Sequence, residues 1–260
     1  MNGSLLLSLS ALAALVPAAL APSPRVYWWM LGVAIAGPAL WLFIALGGEW
    51  RTGLATALWL SVLASLLLFA IVAAIDPVAQ RLTTLLLAYL ILLGALATIW
   101  QHAPERPLAG NPPPAWLQAH ILVAVAAYGF LTLAAIAGMG VVLQERALKR
   151  KRPTRFSHRL PAVAEGETLQ VRLLAASWIV LAAALATGIA LDWVEYRVLL
   201  KFDHKTVFSL LAFVAIGALL VVHHRTGLRG RRAARYVLVA YLLLTLAYPG
   251  VKFVTDVLIG

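Results

Sequence analysis

The chain is 260 residues long, 63% hydrophobic and only 12% charged, with a mean hydropathy of +0.91 and a formal net charge of +11 at pH 7. A soluble domain of this size cannot bury so much apolar surface, so lipid must solvate most of it. Cysteine is absent, which excludes disulfides, iron–sulfur clusters, thiolate-ligated haem and zinc–thiolate sites and leaves histidine as the leading metal ligand.

A bilayer crossing takes about 20 apolar residues at 1.5 Å each. On that rule the runs 5–21, 28–46, 54–75, 82–100, 116–143, 169–191, 205–222 and 236–258 predict eight transmembrane helices. The expected fold is all-α, a polytopic integral membrane helix bundle with both termini outside. It is read as one membrane domain over 1–260, with four N-terminal helices in 1–100 and a core in 116–260. No Lys or Arg precedes the first run, and Arg25 follows it. A secretory leader needs a positive n-region, so the run reads as a retained first helix. Pro38 falls inside the second span, where neighbouring helices can satisfy the carbonyl it frees. Trp28, Trp29, Trp50, Trp100, Trp116 and Trp193 fall near span ends, as interfacial aromatics do.

The connections alternate in charge. Arg25, Arg81, the basic block 146–159, Arg172 and the five arginines Arg225, Arg229, Arg231, Arg232 and Arg235 are assigned inside. Six basic residues (Arg51, Arg106, Arg197, Lys201, Lys205 and Lys252) are assigned outside, matched there by six acids. The whole net charge is therefore a topology signal, and no aromatics interleave with the basic surface, so nucleic acid is not an expected partner. Membrane lipids are: the block 146–159 can meet anionic headgroups. A classical enzyme is not expected, because no P-loop, GxSxG, HExxH, nucleophile–base pair or paired carboxylates can be placed.

The six histidines sort by depth. His102 falls in an outer loop, His120 about one turn into the fifth span from the outer face, and His204 at the outer end of the seventh. His223 and His224 end the seventh span at its inner side, roughly 28 Å deeper, and His158 is cytoplasmic. His120 and His204 can therefore share an outer layer. Imidazole suits iron, zinc and copper and is a common axial ligand of haem. Arg197, Lys201 and Lys205 are candidates for propionates, and Trp193, Tyr196 and Phe202 for stacking. The alternative is that His120 only hydrogen-bonds a carbonyl, His204 only caps a helix, and His223 and His224 snorkel to phosphates beside Arg225.

Four segments carry a family resemblance. WLQAHILVAVAAYGF resembles the entry to a core helix of the CcsA/CcmC-type cytochrome c assembly family, whose WLxxHVxxxxxSYA pattern holds an outward-facing haem-ligand histidine; His120 and Tyr128 fall on it. HHRTGLRGRRAA is similar to the family's H-x-R…GWRG-x-x-A signature, in which the histidine is a haem ligand within the membrane; His223 matches by its spacing to Arg225, with His224 close in register. DHKTVFSLLAF and the tail LLLTLAYPGVKFVTDVLIG are similar to the shorter YpjD/HemX-like branch. The likeness runs from Trp116 onward. Two features depart from the family. The outer W-x-W-D-P-K-E segment that holds haem for delivery is replaced by DWVEYRVLLKFDHK, and the second outer histidine after the last core helix has no counterpart.

The resemblance implies a multi-pass protein of the bacterial inner membrane that handles haem, accessory to cytochrome c or respiratory-complex assembly. Topology adds His204 as the replacement outer ligand, giving a non-covalent haem b between His120 and His204. Two alternatives remain. A HemX-like regulatory or scaffolding protein would act on a tetrapyrrole-synthesis or assembly partner through the block 146–159. A transporter or permease would need polar residues near the bilayer midplane and interrupted helices, hinted at only by Pro38, Gly138 and Gly140.

Overall fold

The structure, a computed structural model, describes residues 2–20, 24–47, 51–103, 106–107, 114–151, 154, 156–198 and 203–258. In chain order its elements are α1 (Asn2–Leu15) with a 3₁₀ turn at Pro17–Leu20, α2 (Pro24–Ala45), β1 (Arg51–Thr52), α3 (Leu54–Ile75), α4 (Pro77–Gln80), α5 (Thr83–Ile99) and β2 (Arg106–Pro107). Then come α6 (Pro114–Lys149), a 3₁₀ turn at Ser157–Arg159, α7 (Val163–Tyr196), α8 (His204–Thr226) and α9 (Gly230–Thr245). The last rod continues through π-helical turns on both sides of α10 (Val251–Phe253). Pro249 lies in the first of these turns, where the widened winding accommodates the N–H that proline lacks. Apart from one two-residue antiparallel bridge between β1 and β2, the described residues form an all-helical membrane bundle. Six described helices are long and apolar enough to cross a bilayer, and two shorter apolar helices, Ser4–Ala19 and Thr83–Ile99, stand where the first and fourth spans are expected.

The described residues divide into two compact units. One comprises residues 1–71, 83–109 and 248–260. Its helices meet over small residues: a Cβ added at Gly37 would stand 2.8 Å from the Ala14 Cβ, so α1 and α2 approach closely there. Leu15, Leu31, Leu86 and Leu90 fill the interior. Its polar tie is a chain in which Trp41 Nε1 donates to Ser8 Oγ at 2.8 Å and Ser8 Oγ donates to Gln101 Oε1 at 3.0 Å. Trp41 also leans on the fully buried Trp59.

The second unit comprises residues 72–82 and 110–247. Its spine is the antiparallel pair α6 and α7. Facing positions keep one register along it: His120 against Gly188, the Ala127 carbonyl against the Ser177 hydroxyl, Gly138 against Gln170 and Val141 against Gly166. Glycine or serine at every such position lets the backbones come close, which drives helix association in lipid. α9 closes on α6 through Gly138 facing Ala234 and through the hydroxyls of Tyr128 and Tyr241, 2.8 Å apart. α8 closes on α7 where Trp178 stacks on Phe213 at 5.0 Å and donates Nε1–H to the Phe213 carbonyl. Gly217, one turn further on, leaves room for that indole.

At 36 residues, α6 is about 54 Å long. Even a 40° tilt across a 30 Å core would use only about 39 Å of that length, so α6 projects beyond the hydrocarbon. Arg146 and Lys149 fall in its last turn, which supplies the charge expected there. The ion pairs Arg81–Glu165, Arg172–Asp76 and Lys149–Glu145 each join residues assigned to the inner side, and β1 with β2 joins two segments assigned outside.

Candidate functional site

His120 sits in the second turn of α6 and its ring reaches α7. Nδ1 is 2.9 Å from Thr187 Oγ1. The Thr187 hydroxyl directs its only proton to its own helix, 3.0 Å from both the Ala183 and the Ala184 carbonyl oxygens. With that proton on a carbonyl, the oxygen is open to accept from Nδ1–H, the tautomer that carries its lone pair on Nε2; the Ala184 carbonyl is also within reach of the ring. Gly188 makes the approach possible, because a Cβ there would stand 3.1 Å from Cε1 of the ring. Asp192, one turn further along α7, is close enough to act on the ring electrostatically.

His204 opens α8 and is exposed, directly after Asp203, whose carboxylate caps the helix by accepting from the Thr206 N–H at 2.8 Å. Its depth follows from the stack that joins α7 to α8. Nine residues separate Thr187 from Trp178 and nine separate His204 from Phe213, about 13.5 Å in each case. His204 therefore lies level with Thr187, and so with His120, to within a helical turn. No hydrogen bond or ring contact joins His120 to His204 among the described residues; α6 and α8 each pack chiefly on α7 and α9. Trp193 is exposed near the end of α7, and Arg197 caps that end in the left-handed region at φ 56°, its side chain exposed. Lys205 is exposed too, whereas Lys201, Phe202 and the Tyr196 side chain lie outside the described residues.

At the inner end the two adjacent histidines part ways. His223 is half-buried, and its Nδ1 donates to the Leu228 carbonyl at 2.8 Å, which again leaves Nε2 free. It borders a small apolar cavity of about 10 Å³ beside Gln170, Leu174, Leu219 and Val237. His224 is exposed. The turn that holds His223 depends on two glycines in the left-handed region, Gly227 at φ 66° and Gly230 at φ 64°. Gly227 caps α8 through its N–H to the His223 carbonyl, and Gly230 N–H donates to Glu167 Oε1 at 2.6 Å. Glu145 Oε1 occupies the space that a Cβ on the same glycine would need. His102 and His158 are exposed.

The sequence reading missed Thr187, Gly188 and Asp192. The signal available was a Thr-Gly pair inside an otherwise apolar helix, the kind of small polar notch at which membrane helices meet. An imidazole with Nδ1–H tied down and Nε2 free is the form that binds haem iron. By donor chemistry, His120 and His223 fit that ligand.

The fold and site thus define a multi-pass membrane bundle that presents imidazole nitrogens at two depths. The chain belongs to the cytochrome C assembly protein family, whose model matches residues 52–259. That match begins well before Trp116 and so takes in part of the N-terminal helices. A protein of Azospirillum brasilense described as an uncharacterized 28.8 kDa protein in nifR3-like 5'region is 50% identical over 271 residues, each chain being covered in full. No solved structure matches the chain.

Proposed function

We propose that this protein is a haem-handling component of cytochrome c or respiratory-complex assembly in the bacterial inner membrane. In this reading it holds a non-covalent b-type haem near the outer face between His120 and His204, and His223 belongs to an inner site or entry path. The observation that carries the proposal is the setting of His120: a hydroxyl on α7 stands 2.9 Å from Nδ1, a contact that supports the tautomer with its lone pair on Nε2. The common depth of His120 and His204 supports the pairing, and the exposed Trp193 and Arg197 offer a stacking face and a propionate partner at the same end of α7. When bound, haem supplies a redox-active iron or is itself the cargo. The chain contributes two neutral imidazoles, an apolar surround and cationic partners.

The test is the reduced-minus-oxidised absorption spectrum of the detergent-purified protein. Haem bands are expected, lost or weakened in His120→Ala and His204→Ala and kept in His158→Ala. A protein without bands after haem feeding refutes the proposal.

A further inference from the structure

We propose that Thr187 and Gly188 are positioning residues that set the tautomer and the plane of His120, so that α7 holds the ligand that α6 supplies. The inference rests on reading His120 as a haem ligand.

Three observations converge on it. First, the Thr187 hydroxyl has two carbonyls of its own helix at 3.0 Å to receive its proton, which leaves its oxygen open to accept from His120. That arrangement favours the ring proton on Nδ1, 2.9 Å away. Second, Gly188 leaves the ring its place, since a Cβ would meet Cε1 at 3.1 Å and Nε2 at 3.8 Å, so that the ring would have to give by a few tenths of an ångström. Third, the contact lies on the closely packed α6–α7 seam, which Ser177 ties further along by donating to the Ala127 carbonyl at 3.1 Å. A hydrogen bond from Nδ1–H also raises the basicity of Nε2, and partners of this kind are worth 10–100-fold in metal affinity.

The experiment uses the full chain in detergent, loaded with haem, as wild type, Thr187→Val, Thr187→Ser, Gly188→Ala and His120→Ala. Haem affinity and midpoint potential are measured alongside the ¹⁵N histidine NMR spectrum of the haem-free protein. Thr187→Val should bind haem roughly 10–100-fold more weakly and shift the potential upward, because an imidazole without its acceptor donates less to ferric iron. Thr187→Ser should restore both, and Gly188→Ala should broaden or split the haem bands by turning the ring. In the haem-free wild type His120 should be an Nδ1–H tautomer. An Nε2–H tautomer there overturns the proposal even if the valine variant does not fold. Wild-type affinity and potential in Thr187→Val, with haem lost from His120→Ala, also overturn it while leaving His120 as a ligand. Undiminished haem in His120→Ala refutes the ligand reading itself, and the positioning role with it.

Discussion

Gly227 and Gly230 have nearly the same φ, 66° and 64°, but different surroundings, which separates backbone strain from crowding. A Cβ at Gly227 would meet nothing within 4 Å, whereas at Gly230 it would run into Glu145 Oε1 with Glu167 Oε1 close behind. Placing an L-residue in the left-handed region costs roughly 1–2 kcal/mol, and that is the whole expected loss for Gly227→Ala. Gly230→Ala also has to displace the Glu145 carboxylate, the movable end of a flexible side chain, so its added cost falls at the low end of overpacking, about 1 kcal/mol, giving a total of about 2–3 kcal/mol. Thermal unfolding in detergent would read the difference, at roughly 2–4 °C per kcal/mol for a chain of this size. Adding Glu145→Ala should recover part of the Gly230→Ala loss and none of the Gly227→Ala loss, since only the first pair is in contact. Equal losses at the two glycines, or no recovery with Glu145 removed, would show that crowding at Gly230 is not what the turn depends on.

Two further outcomes are expected. His223→Ala leaves the Leu228 carbonyl without its imidazole donor and should lower stability by about 1 kcal/mol, whereas the exposed His224→Ala should stay within about 0.5 kcal/mol of wild type in the same melts. Tyr128→Phe and Tyr241→Phe remove opposite ends of one hydroxyl contact; each should cost about 0.6 kcal/mol and at most about 1.7 kcal/mol. A double-mutant cycle should show that the pair together loses less than the sum of the two.

The helices were legible because lipid imposes a length and a polarity that can be read one segment at a time. The run 54–75 matches α3 at both ends, and basic residues mark the projecting end of α6. Lateral pairing was not legible. A span that is apolar on all sides has no preferred face, so nothing along the chain tells which residue of α7 His120 will meet. For the same reason Trp41, Trp59 and Trp178 gave no hint that they are interior ties rather than belt residues, since each depends on a partner from another helix. The motif HHRTGLRGRRAA was legible as a signature, but its physical content, two left-handed glycines around a histidine-bound carbonyl, needed coordinates.

The shared register of α6 and α7 makes their seam intolerant of insertions. One residue added to α7 between Gly166 and Gly188 would turn everything beyond it by 100° and advance it by 1.5 Å. An insertion before Gln170 would cost the Gly138, Ala127 and His120 contacts their partners together, because all three lie along one seam. The outer imidazole is thus indexed by chain length as much as by the identity of its neighbours.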